Sequence, residues 1–340
     1  MNTNMNVTVL IASYNHGPFL SYQLASLLLQ TAPPKRIIVL DDGSTDDTKS
    51  ILERFKEKNS IQVIYHEKNL GVHAAYCRLM NEVETEFFAF ASADDLLTRE
   101  WCETMASLLE AHPKAKIAIS NTFIIEGETL LATDLIDGSN GSKAGVYEPQ
   151  EFAEAVFRIG KLPPSNTIMY RSDIIHDLIL PIFSQKRLGP FVDLMLILEI
   201  AMRHPTAYST EVMGVFFKSP GSYGLSVLDK NLQRHIAERI EQVSHSGKLL
   251  EPDRFATFVN RLVEYAWVRQ AIMRSQSENR ANGSGLRYLW AAISLKAKIL
   301  TTFIAFGRLR YAHFKYIGRR HRVHALTSVI DERLLRRLSL

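Results

Sequence analysis

The stretch VTVLIASYNHGPFLSYQLASLLLQTAPPKRIIVLDDGS, Val7 to Ser44, holds two apolar runs on either side of a segment with helical spacing. Val7 to Ala12 is short, continuous and rich in β-branched residues, which is the pattern of a strand buried on both faces. Ser13 to Pro18 is a polar turn. Phe19 to Gln30 places Leu20, Leu24, Leu27 and Leu28 on one side of a helix, and Pro33 and Pro34 end it. Arg36 to Leu40 is a second buried strand, and it stops at Asp41-Asp42-Gly43-Ser44. Two doubly buried strands joined through a helix predict a mainly parallel sheet with crossover connections.

The same alternation continues outward. Asp46 to Lys56 reads as a helix, Ile61 to Tyr65 as a strand, Gly71 to Val83 as a helix and Phe87 to Ala91 as a strand. A helix over Trp101 to Ala111 and a strand over Lys116 to Asn121 follow. Glu126 to Gly145, with Gly127, Gly138, Gly141 and Gly145, reads as a hairpin and mobile loops. Glu148 to Ile159 is helical, Lys161 to Tyr170 is a loop leading to a strand, Phe191 to Met202 is a helix and Val212 to Lys218 a strand. The turn SPGSYGLS follows, and from about Asp229 the pattern is almost wholly helical.

Composition excludes several classes. With 46% hydrophobic and 22% charged residues, the 340-residue chain can bury a large core. Cys77 and Cys102 have neither CxxC nor Cys/His spacing, so a disulfide framework or zinc site is not expected and a reducing compartment is. The polar start MNTNMN lacks a basic region and cleavage site, so no secretory signal is expected. The longest apolar stretch, Tyr288 to Phe306, is broken by Lys296 and Lys298, short of the ~20 apolar residues a spanning helix needs.

Three polar clusters fall at strand ends: Ser13-Tyr14-Asn15, Asp41-Asp42, and Asp94-Asp95 in FAFASADDLLTREW, Phe88 to Trp101. Turn chemistry accounts for each alone, but not for their shared position at the edge where ligands of parallel sheets bind. Two adjacent carboxylates there suit either a solvated turn or a divalent cation with oxygen ligands.

VTVLIASYNHGPFL, IIVLDDGSTDDT, EKNLGVHAA, FFAFASADDLLTREW and FVDLMLILE, in this order and spacing, resemble the family 2 inverting nucleotide-sugar glycosyltransferases of the GT-A fold. The resemblance covers roughly residues 6 to 226. It implies a catalytic domain over 1–228, with 229–340 as a helical, basic extension. It departs from the family pattern at Tyr76-Cys77, where Arg-Asn is common. It also departs at Ser92, where the motif often has a first aspartate, and at Val192, where Glu often precedes the base.

The resemblance implies roles that the residue chemistry can fill. Asp95 is the expected ligand of Mn²⁺ or Mg²⁺, and Asp94 faces the ribose or supports the metal. Asp42 meets the base, Asp41 orders its turn, Tyr14 stacks, and Ser13 and Asn15 make polar contacts. Asp193 is the expected general base, with an N-terminal helix cap as the simpler alternative. Asp46 and Asp47 suit capping of the next helix. The donor expected is a nucleoside diphosphate sugar, UDP-linked, and the acceptor a glycan or lipid-linked hydroxyl. A sugar-phosphate nucleotidyltransferase would want a Gly-rich basic loop where SYNHGPF stands. A non-catalytic scaffold on the same fold is the other alternative, and Ser92 and Tyr76 speak for it.

From Arg287 the chain becomes basic, with Arg308, Arg310, Lys315, Arg319, Arg320 and Arg322 among aromatic residues. This suits a helix lying in a membrane interface or one packed on a protein surface, and a homo-oligomer is compatible with either. The expectation is a cytoplasmic enzyme docked on the inner leaflet, with nucleic acid not a partner.

Overall fold

The computed structural model describes residues 4–58, 61–126, 129–133, 144–159, 165–185, 188–189 and 192–218. The SPGSYGLS turn beyond Lys218, the helical region from Asp229, the basic tail, and parts of the loops at 126–145 and 161–170 lie outside these residues.

The first half alternates as the sequence predicts: β1 (Met5–Ser13), α1 (Gly17–Leu28), β2 (Pro34–Asp41), α2 (Thr48–Lys58), β3 (Gln62–Tyr65), α3 (Val72–Met80) and β4 (Phe87–Phe90). A two-residue β5 (Leu96–Leu97) and α4 (Trp101–Ala111) follow, then β6 (Ile117–Glu126), β7 (Thr129–Thr133), β8 (Gly145–Tyr147) and α5 (Pro149–Ile159). A 3₁₀ turn at Ser165–Thr167 leads into β9 (Met169–Arg171). Short helical turns over 172–179 lead to α6 (Leu180–Phe183), and α7 (Val192–Ala201) and β10 (Thr206–Lys218) complete the described fold.

These strands form one sheet in the order β3-β2-β1-β4-β9-β6-β10-β5, with β7 added on β6 and β8 on β10. β1 pairs in parallel with β2 and β4, β2 with β3, and β6 with β10. β9 runs antiparallel between β4 and β6, so β3, β2, β1, β4, β6 and β10 all point the same way. The sheet is mainly parallel, as expected from its uninterrupted apolar strands.

Strand parity explains those runs. Val7, Val9 and Ile11 of β1, Ile37 and Val39 of β2, and Phe87 and Ala89 of β4 pack on one face beneath α1, α2 and α4. Leu10, Ile38, Leu40 and Phe88 enter the other core, beneath α3, α6 and α7. With helices on both faces, neither strand face is polar. α1 begins two residues earlier than its leucine spacing suggests, because Pro18 fits its first turn.

The second half departs further from the sequence reading. β6 extends five residues past Asn121 because its end pairs with β7 as a hairpin. β10 begins at Thr206 rather than Val212, since its first residues pair with β6 and β8. Leu96-Leu97, between the predicted strand Phe87 to Ala91 and the helix from Trp101, pairs antiparallel with Val215 and Gly214.

The chain leaves β3 on one side of β1 and returns as β4 on the other, so the strand order reverses between β1 and β4. In open α/β sheets a crevice opens beyond the strand ends at such a reversal. Ser13-Tyr14-Asn15 and Asp94-Asp95 stand on its two sides.

Candidate active site

The β1 and β2 ends are tied together by main chain and side chain. The Asp42 N–H donates to the Ser13 carbonyl at 2.8 Å. Asn15 adopts φ 55°, a left-handed conformation that Asn tolerates better than most residues. Its Oδ1 accepts from the Thr45 N–H at 2.8 Å, and its own N–H donates to Ser44 Oγ at 2.9 Å. Asp41 is buried and its Oδ1 accepts from the Ser44 N–H. Asn15 and Asp41 thus fix the DDGS turn from both ends.

Asp42 is 3% exposed and holds a second turn. Its carboxylate accepts from the Leu70 N–H at 3.0 Å and the Gly71 N–H at 2.8 Å, and His66 Nδ1 lies 2.7 Å from Oδ1. Asp46 caps α2 as expected. Partial burial works against its charge, but hydrogen bonds from Thr48 and the Gly17 N–H prevail and hold its carboxyl below the usual range. Ser13 is buried. Tyr14 is 40% exposed, so its ring is not core packing.

Gly43 lets these two turns meet. It has φ +72°, and a Cβ there would stand 2.6 Å from the Lys68 carbonyl carbon and 2.8 Å from the Asn69 nitrogen. Both neighbours are backbone and cannot swing away. Gly43→Ala is therefore expected to cost about 1–3 kcal/mol for the left-handed conformation, with the clash added. Thermal melting checks this; a midpoint within about a degree of the parent would show that the turn has room.

Beyond β4 the two carboxylates differ in burial. Asp95 is 2% exposed, and its Oδ1 accepts from the Phe217 N–H of β10 at 3.0 Å. Asp94 is half-buried. The turn is closed by a long hydrogen bond from the Asp95 N–H to the Ser92 carbonyl, and by the Thr98 N–H donating to the Met213 carbonyl at 2.8 Å. Ser92 thus supplies main chain to the turn.

Asp193 stands in the first turn of α7, half-buried, with Oδ2 accepting from Ser165 Oγ at 2.7 Å. Tyr76 of α3 is partly buried against the second core. Its ring packs edge-on against Phe90 and Phe183. Burial raises the Tyr76 hydroxyl above its ordinary pKa. A backbone hydrogen bond at Ala12 works the other way, and the negative charges of Asp193, Asp94 and Asp95 add to the rise. Burial also raises Tyr170, with Asp193 and Tyr76 contributing. The residue that departs from the family pattern thus feels the charge of all three carboxylates, which no local spacing signals. His73, on the same helix, has its ring nitrogens 2.9 and 3.0 Å from the Phe183 and Gly189 carbonyls, a structural role that ties α3 to the segment before α7.

Among the described residues, no group of three or more His, Cys, Asp or Glu converges on one point. Asp94 and Asp95 offer adjacent hard oxygens beside a crevice. That donor set suits Mg²⁺ or Mn²⁺ completed by phosphate and water rather than a cage made wholly of protein. Cys102 is buried, and burial raises its thiol pKa, which leaves it a poor nucleophile.

The model of the family described as Glycosyl transferase family 2 matches residues 8–172, which carry the β1, β2 and β4 ends. The chain contains a glycosyl transferase family 2 domain. An uncharacterized glycosyltransferase of Nostoc sp. is 26% identical to it over 182 residues, 50% of this chain and 52% of the relative. The poly(ribitol-phosphate) β-N-acetylglucosaminyltransferase TarS of Staphylococcus aureus is 29% identical over 111 residues, 32% of this chain and 19% of its own. The match therefore spans about half the Nostoc relative and much less of TarS. The crystal structure of S. aureus TarS 1–349 with UDP-GlcNAc superposes with a TM-score of 0.61 at 18% identity, covering 95% of this chain and 84% of that one. The mannosyltransferase PcManGT of Pyrobaculum calidifontis, with GDP-Man and Mn²⁺, gives 0.50 at 16% identity, covering 95% and 86%. These likenesses establish the GT-A fold for the family 2 domain. No helix among the described residues is long and apolar enough to cross a membrane.

Proposed function

We propose that the chain is an inverting glycosyltransferase. It moves a sugar from a nucleoside diphosphate donor, UDP-linked in the first instance, to a hydroxyl of a glycan or lipid-linked acceptor in cell-surface polysaccharide synthesis. The observation that carries this reading is the placement of Ser13-Tyr14-Asn15, Asp41-Asp42 and Asp94-Asp95 at the ends of β1, β2 and β4, beside the strand-order reversal. The donors in the TarS and PcManGT structures, and the Mn²⁺ in the latter, support the substrate class and the cation. The TarS activity supports a cell-surface glycan.

In this reading Tyr14 stacks on the base, with Ser13 and Asn15 offering polar contacts. Asp41 and Asp42 hold the two turns that frame the base, and Asp42 faces it. Asp94 meets the ribose. Asp95 would hold Mg²⁺ or Mn²⁺, which when bound neutralises charge on the departing diphosphate. The acceptor oxygen attacks the anomeric carbon from the face opposite the diphosphate, forming one C–O bond as the other breaks. Asp193 takes the acceptor's proton in that step, so its carboxylate must be ionised and held in line. The catalytic unit is 1–228. The basic 229–340 region docks the enzyme on the cytoplasmic face of a membrane, a proposal that rests on its sequence pattern alone.

A panel of nucleotide sugars, incubated with the full chain and Mg²⁺ or Mn²⁺, tests the function through release of nucleoside diphosphate. One donor should be turned over well above the others. A folded chain that binds a donor yet releases no diphosphate from any, with or without acceptors, would instead be a binding protein.

A further inference from the structure

We infer that Ser165 is a positioning residue for Asp193, held in place by a bracket built on β6 and β10. The inference rests on the reading of Asp193 as the general base. A carboxylate in a helix's first turn can adopt several rotamers, and only some aim an oxygen at an acceptor. Ser165 Oγ donates to Oδ2 of Asp193 at 2.7 Å, which restricts the rotamers open to the carboxylate.

The 3₁₀ turn carrying Ser165 is anchored on three sides. Thr167 Oγ1 donates to the Ser120 carbonyl at 3.1 Å, and Trp101 Nε1 donates to the Thr167 carbonyl at 3.1 Å. Asn166, 3% exposed, donates from Nδ2 to Thr122 Oγ1 at 3.3 Å. Gly214 of β10 makes room for it: a Cβ there would lie 2.7 Å from Thr167 Cγ2 and 3.2 Å from Asn166 Nδ2. Three residues along the same strand, the Phe217 N–H holds Asp95. One strand thus supports both the buried aspartate and the turn that bonds Asp193.

Steady-state kinetics on Ser165→Ala and Ser165→Thr, beside Asp193→Asn and with melting recorded for each, tests the inference on the full chain. Ser165→Ala should lower kcat by roughly 10- to 100-fold, the range for losing a hydrogen bond to a charged group. Donor KM and melting should stay close to the parent, and Ser165→Thr should recover most of the loss. An unchanged kcat in Ser165→Ala while Asp193→Asn is inactive would overturn the positioning role and leave the base in place. Full transfer by Asp193→Asn would overturn the base reading itself. Should Ser165→Ala fail to fold, Ser165→Cys, with similar bulk and a weaker donor, carries the same comparison: a fall in kcat supports positioning and parental kcat refutes it.

Discussion

Asp193→Asn should reduce transfer by roughly 10²- to 10⁴-fold, the usual contribution of a positioned general base, while leaving donor binding almost unchanged. The amide keeps the carboxylate's shape and can still accept from Ser165 Oγ, which now donates to Asp193 at 2.7 Å. What it cannot do is take the acceptor's proton as the new glycosidic bond forms. Because Asp193 is half-buried at the start of α7, the change removes a charge without opening a cavity, and melting should move little. Calorimetry with the donor separates the explanations. If donor affinity collapses together with transfer, Asp193 serves donor binding or the local fold. If affinity holds and transfer is lost, the proton-accepting role stands.

The parts of this architecture that could be read in advance are those with a local signature. Val7 to Ala12 and Arg36 to Leu40 are apolar on both faces because both faces are covered, and a sequence records that directly. The polar breaks at Ser13, Asp41 and Asp94 record where those strands end. What stayed hidden depends on pairs far apart in the chain. Asp95 and the Phe217 N–H that binds it are 122 residues apart. Leu96-Leu97 is too short to show any period, and only β10 makes it a strand. The reversed strand β9 is three residues long and borrows its direction from its neighbours. Tyr76 reads as a departure from the family pattern, while its ring partners Phe90 and Phe183 come from other elements. Ser165 reads as a loop residue because its partner, Asp193, is 28 residues away.

Asp95 allows the cation assignment to be separated from stability, because its two jobs belong to different properties of the carboxylate. Accepting from the Phe217 N–H needs only an oxygen, whereas holding Mg²⁺ or Mn²⁺ needs negative charge. Asp95→Asn keeps an acceptor of the same shape, so it should melt near the parent and lose activity by roughly 10²-fold or more, the order expected when several kcal/mol of charge stabilisation are lost. Asp95→Ala should lose activity as fully and should also cost about 1–3 kcal/mol, since a buried N–H is left without its acceptor. The fold should survive that, because a domain commonly holds 5–15 kcal/mol in reserve. The parent enzyme stripped with a chelator should behave like Asp95→Asn and regain activity on addition of Mg²⁺ or Mn²⁺, which share a preference for hard oxygen ligands. Full activity in chelator, together with an active Asp95→Asn, would sink the cation assignment and leave Asp95 as the strap that ties the β4–β5 turn to β10.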